Sequence, residues 1–63
     1  MYKYCIDEII LTVTEFEARW KIHDFEMSPD LGLHGTRGVA FNNDENRYAS
    51  FYSWEENETG DFI

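Results

Sequence analysis

Cys5 is the only cysteine in this chain of 63 residues, so no intrachain disulfide can form. A closed zinc site is equally out of reach, because it wants four Cys or His ligands and the chain offers only Cys5, His23 and His34, at no recognised spacing. Basic side chains are scarce as well: five stand against thirteen acidic ones, for a net charge of −8 at pH 7. That balance argues against bare nucleic acid or an anionic membrane as partner and points to a basic surface on another protein. No apolar stretch approaches the roughly 20 residues of a membrane span, and the run from Ile9 to Val13 is short even for the apolar part of a secretory signal. With its lone thiol, the chain is expected to be soluble and cytoplasmic, and the Asn57-Glu58-Thr59 sequon then counts as chance.

Eleven aromatic residues and a hydrophobic content of 43% separate the chain from disordered sequences of similar charge. A domain of this length buries only about 60% of the surface its unfolded chain exposes, so it depends on a dense core or on association. The expectation is one domain over residues 1–63, with a loop at 28–38 and a C-terminal tail at 55–63.

Glycine, proline and asparagine are all absent from residues 1 to 27, which predicts long elements without a conventional turn there. From Glu15 to Ile22 the apolar Phe16, Ala18, Trp20 and Ile22 alternate with charged residues, the period of a half-buried strand. Phe25 and Met27 fall out of phase with that series, and one extra residue near His23 or Asp24 would restore them, which predicts a β-bulge. Upstream, Ile6, Ile9, Ile10 and Val13 also fit helical spacing, although their β-branched character favours a strand. The turn chemistry of Ser28 to Gly38 gives way to Val39–Phe41 and Arg47–Trp54, which flank the polar cluster Asn42 to Asn46 as a hairpin. Tyr48, Ser50, Tyr52 and Trp54 would share one face of that hairpin and Ala49, Phe51 and Ser53 the other. Neither face is plainly polar, so one is assigned to the core and the other to an interface. The fold class expected is mostly β: a small antiparallel sheet or incomplete barrel of 4–5 strands, with a strand near Tyr2 to Ile6 and a long bent strand region from Ile9 to Met27. The alternative is α+β, with residues 7–19 helical on a three-stranded sheet.

The motifs that would carry catalysis or cofactor binding are incomplete. His23-Asp24 with a distant serine lacks a nucleophile elbow. Gly32, Gly35 and Gly38 recur without the Gly-Lys-Ser/Thr ending of a phosphate loop. Asn42 to Asn46 opens like a calcium loop but has Arg47 and Ser53 where Gly and Glu are diagnostic. Tyr48, Phe51, Tyr52 and Trp54 have the composition of a base-stacking platform, yet Glu55, Glu56 and Glu58 follow directly and would repel phosphate. No enzyme, metal or cofactor is expected.

What rises above background is the acid excess, concentrated in residues 42–63, where six acids face Arg47 alone. A single acidic row on a strand recurs about every 6.6 to 6.8 Å, too sparse to imitate duplex DNA at one phosphate per about 1.7 Å, whereas two rows or two protomers come closer. The expected partner-binding residues are Asp44, Glu45, Glu55, Glu56, Glu58 and Asp61, anchored by Tyr52 and Trp54. In kind, though in no particular motif, the chain is similar to the small acidic proteins with which phages and mobile elements block restriction, CRISPR or transcription machinery. The leading expectation is therefore a non-enzymatic inhibitor that occupies a basic surface of a nucleic-acid-handling host protein. The alternative is an assembly module that self-associates, as a homodimer or within a larger complex, through a sheet edge and the aromatic hairpin face.

Overall fold

Five antiparallel strands in one open sheet carry the architecture, in a computed structural model that describes every residue from Met1 to Ile63. In chain order they are β1 (Tyr2–Ile6), β2 (Ile9–Thr12), β3 (Trp20–Met27), β4 (Thr36–Asn42) and β5 (Arg47–Glu55), with a single helical turn, α1 (Val13–Glu17), between β2 and β3. The spatial order is β2-β1-β5-β4-β3, so the longest strand lies at the centre and α1 carries the chain from one edge of the sheet to the other. The mostly β expectation holds, with an open sheet as its form.

The register sorts the side chains into two faces. Ile6, Phe51, Gly38 and Phe25 stand across from one another on the first face, as do Ala49, Ala40 and Ile22. This face meets Phe16 from α1, and Ile6, Phe16, Trp20, Ala40 and Phe51 form the buried cluster, edged by Tyr4, Leu11 and Ala49. Tyr4 lies flat on Phe16 with centroids 3.9 Å apart. Burial holds the Tyr4 phenol above its usual range, reinforced by the nearby Tyr2 and Glu17. The second face carries Cys5, Ile10, Val39, Phe41, Tyr48 and Tyr52, and no element of the chain covers its middle.

Three expectations about the first 27 residues need correction. The long bent strand from Ile9 to Met27 is broken by α1, because Thr12 and Glu15 form a capping box: the Thr12 hydroxyl accepts from the Glu15 amide at 3.2 Å, and the Glu15 carboxylate accepts from the Thr12 amide at 2.8 Å. These bonds hold the Glu15 carboxyl below the usual range. Phe16 points inward from α1 and Trp20 from the start of β3, and their spacing of four also fits a period of two. The alternative helix over 7–19 is likewise cut to Val13–Glu17, since Ile9–Thr12 pairs with β1 as a strand. A turn exists despite the missing glycine and asparagine: Asp7 and Glu8, at φ 54° and 64°, close β1 onto β2 in the left-handed region.

The bulge falls where the phase change places it. Pairing shifts between Ile22 and Asp24, and beyond it Phe25 and Met27 regain the face of Ile22. Gly38 permits this, because a Cβ there would collide with the Asp24 carbonyl and the Phe25 Cα. The irregular segment is shorter than 28–38: a 3₁₀ turn spans Pro29–Leu31 and β4 begins at Thr36. The hairpin of β4 and β5 holds, its turn built by the buried Asn42, whose Oδ1 accepts from the Asp44 and Glu45 amides, both at 2.9 Å.

The tail docks. Glu56 bridges to Phe62, the Ile63 amide donates to the Glu55 carbonyl at 2.9 Å, and the Leu33 amide donates to the Ile63 carbonyl at 2.6 Å. Gly32, at φ 95°, makes room for that last contact, where a side chain would strike the Ile63 carbonyl. Asn57 Oδ1 holds the turn by accepting from the Thr59 and Asp61 amides, both at 3.0 Å. The result is a strap over the end of the second face.

Candidate protein-binding surface

The residues assigned to partner binding do not form one patch. Asp44 and Glu45 lie in the β4–β5 turn, while Glu55, Glu56, Glu58 and Asp61 lie at and beyond the far end of β5. The eight steps from Arg47 to Glu55 along β5 separate the groups, roughly 27 Å at about 3.4 Å per residue. Acids therefore occupy the two ends of the sheet and do not run as rows along the hairpin.

Pairing of β1 with β5 adds a second turn to the first group. Ile6 stands opposite Phe51, so the Asp7–Glu8 turn lies on the Arg47 side of that pair, within reach of the Arg47 side chain. Arg47 ties the two turns together: Nη2 lies 2.5 Å from Asp7 Oδ2, Nε lies 2.5 Å from Glu45 Oε1, and the guanidinium carbon sits 5.2 Å from the centre of the Trp20 ring. The hydrogen bond to Arg47 holds the Asp7 carboxyl below its usual range, and both carboxylates push the Arg47 pKa up. Four carboxylates against one guanidinium leave this end at −3. Glu15 and Arg19 line the same groove over Trp20 and cancel.

At the opposite end Glu55, Glu56, Glu58 and Asp61 face Lys3, again −3 when side chains are counted with His34 neutral. Lys3 Nζ lies 3.7 Å from Glu56 Oε1, and His34 Nε2 lies 3.7 Å from Glu55 Oε1. Glu58 and Asp61 are exposed on the strap, and Asp61 Oδ2 accepts from the Thr59 hydroxyl at 2.9 Å.

The two aromatic anchors separate. Tyr52 is 48% exposed on the second face, between Cys5 and Arg37. Trp54 is not an exposed anchor: it is only 7% exposed, because Phe62 packs on it at 5.7 Å and its Nε1 donates to Glu56 Oε2 at 2.7 Å. Alternation assigns Trp54 correctly to the face of Tyr52, but the tail returning over that face removes it from solvent. Glu56, spent on Trp54 and Lys3, is likewise a structural acid first.

Sequence reasoning missed Asp7 and Glu8, since only the non-local pairing of β1 with β5 brings them to Asp44 and Glu45. It also missed Ile10, which stands across from Cys5 at 59% exposure and extends the apolar face to the β2 edge. No three His, Cys, Asp or Glu side chains converge as metal ligands, and no helix is long and apolar enough to cross a membrane. Compared with protein-family models, curated proteins and solved structures, the chain finds no match.

Proposed function

We propose that this is a non-enzymatic binding protein whose target is a basic surface of a nucleic-acid-handling protein, and that it acts by occupying that surface. The reading rests on the splitting of the acids into two groups on one hydrogen-bonded sheet: Asp44 and Glu45 stand roughly 27 Å along β5 from Glu55, and Asp7 is tied to them through Arg47. Charge held on a rigid frame meets a cationic partner without the ordering cost that a flexible acidic tail incurs. Long-range attraction to two points speeds association and fixes orientation. Because the acids stand in two clusters, the target is recognised as two basic patches and not as the binding groove for a continuous phosphate ladder. Action inside the cell, as an inhibitor carried by a phage or mobile element, belongs to the same proposal; it is supported by the acid excess and by a lone thiol, which suits a reducing compartment.

The test is affinity capture from a bacterial lysate with the wild-type chain and with two charge-neutralised forms. One carries Asp44→Asn and Glu45→Gln, the other Glu58→Gln and Asp61→Asn, and circular dichroism verifies that each is folded. Retention of a basic protein by the wild type, reduced in both variants and abolished near 1 M salt, where exposed charges are screened within about 3 Å, supports the reading. Equal retention by all three forms overturns it.

A further inference from the structure

We infer that the open second face of the sheet is a homodimer interface, the seat of a second copy of this chain. The face presents Cys5, Ile10, Val39, Phe41, Tyr48 and Tyr52 as one contiguous apolar surface across β2, β1, β5 and β4. Ile10, Tyr48 and Tyr52 are each about half exposed or more in the single chain. Phe41 and Tyr48 pack at 4.9 Å, and the His23 ring closes edge-on against Tyr48 at 5.1 Å, so the aromatic part of the surface is already ordered.

Charge selects the occupant. Apart from Lys3, whose Nζ lies 3.7 Å from Glu56 at the acidic end, the charged side chains that share this face are Lys21 and Arg37 against Asp24 and Glu26, a local sum of zero within a chain of −8. Everything else therefore carries the whole −8. A basic partner would seek the ends of the sheet and gain nothing here, whereas a second copy meets a surface free of the repulsion that the rest of the molecule would impose on it. Arg37 and Glu26 pair at 3.8 Å, while Lys21 and Asp24 have no ion-pair partner. One unpaired cation and one unpaired anion suit an isologous contact, in which each surface faces its own kind.

Size agrees. The two longer dimensions of the molecule, 35 and 20 Å, bound a sheet face of about 700 Å² before the strap takes its end, close to the roughly 800 Å² per partner of a standard interface. Only ten of 63 residues are buried in the single chain, and its exposed area of 4531 Å² exceeds the about 4,250 Å² that scaling gives for a monomer of this mass. A dimer on this face leaves all four acidic ends outward, so the inference is compatible with the function proposed above and does not depend on it.

The experiment is sedimentation equilibrium of the full chain from about 5 µM to 1 mM, with the variants Tyr52→Lys and Ile10→Lys. Each lysine places an unpaired cation inside the contact, beside the Lys21 and Arg37 already on this face, whereas the net negative charge of the molecule falls. Each change enters the contact twice. The expected result is a wild-type dimer that persists in 1 M NaCl and a dissociation constant at least 100-fold higher in both variants. Phe25→Lys, at an exposed site on the opposite face, serves as the control and leaves the constant within a few-fold of wild type. Circular dichroism checks that each variant folds, and the rate of Cys5 labelling by a thiol reagent falls as wild-type concentration rises. A wild type that stays monomeric at 1 mM overturns the inference, as does a dimer weakened by Phe25→Lys but not by Tyr52→Lys.

Discussion

Replacing Glu8 with glycine is expected to stabilise the protein. Glu8 sits at φ 64°, next to Asp7 at φ 54°, in a two-residue turn closed by the pairing of Ile6 with Ile9. The left-handed conformation costs an ordinary L-residue about 1–2 kcal/mol, and glycine is free of that cost. Against this, glycine has more freedom to lose on folding, about 0.5–1 kcal/mol. The difference predicts a net gain of about 0.5–1 kcal/mol, or roughly 2–8 °C in Tm for a domain of this size. Thermal unfolding followed by circular dichroism at pH 7 measures it. Because the change also deletes a charge from a cluster of −3, Glu8→Gln is the necessary control: it removes the charge, keeps the strained backbone, and is expected to gain less than half as much. A Tm for Glu8→Gly that is unchanged or lowered, or one matched by Glu8→Gln, would refute the assignment of strain to this turn.

Phe16, 1% exposed at the centre of the core, should be indispensable: Phe16→Ala costs about 3–5 kcal/mol, against a total stability of roughly 3–9 kcal/mol for 63 residues, so denaturant titration should find the variant largely unfolded. Phe62→Ala should expose Trp54 without unfolding the sheet, seen as a red shift of Trp54 emission in a Trp20→Phe background; no shift would mean that the strap does not cover the ring in solution. Asp7 and Glu15 have carboxyl pKa values held below their unfolded values, so their contribution is present above the ordinary carboxylate range and is lost as pH falls through the depressed values. Stability should accordingly fall below about pH 4, and less steeply in Asp7→Asn, as read from urea midpoints against pH. Tyr4 has the opposite sign: its raised pKa contributes stability that is full below the unfolded value near 10 and lost as pH climbs through the folded value, so Tyr4→Phe should flatten the alkaline limb.

What could be read from the sequence was what local chemistry decides. The strand at Tyr2–Ile6, the bulge beside His23 and the hairpin around Asn42 each follow from spacing or from turn residues within a few positions. The helical turn at Val13–Glu17 was also legible, as a Thr12 to Glu15 capping box, but the alternation of Phe16, Ala18, Trp20 and Ile22 masked it because positions 16 and 20 satisfy both periods. The turn at Asp7–Glu8 carries no such signal. It exists because Ile6 and Leu11 need the face that Phe51 occupies, and burial of that face outweighs the left-handed penalty. The division of the acids into two ends was hidden for a related reason. Proximity of Asp7 to Arg47 spans forty residues, and no local window contains it.

The placement of charge also explains how a chain at −8 holds one compact sheet. At physiological ionic strength the screening length is about 8 Å, so Asp44 and Glu45, roughly 27 Å along β5 from Glu55, scarcely feel the acids beyond it, whereas the same acids spread along β5 would repel at every second residue. Solubility alone accounts for acids at the ends. It does not account for their residue types at the β1–β2 turn, where Asn-Gly would close the same hairpin without strain and Asp-Glu is found. Asp7 has a structural reason, its bond to Arg47. Glu8 is exposed and makes no ion pair or side-chain hydrogen bond, so its carboxylate is kept at a conformational cost with no return within the chain. Under the function proposed above, Glu8 would join Asp44 and Glu45 in meeting a cationic partner, and Glu8→Gln would weaken that contact without relieving the backbone cost.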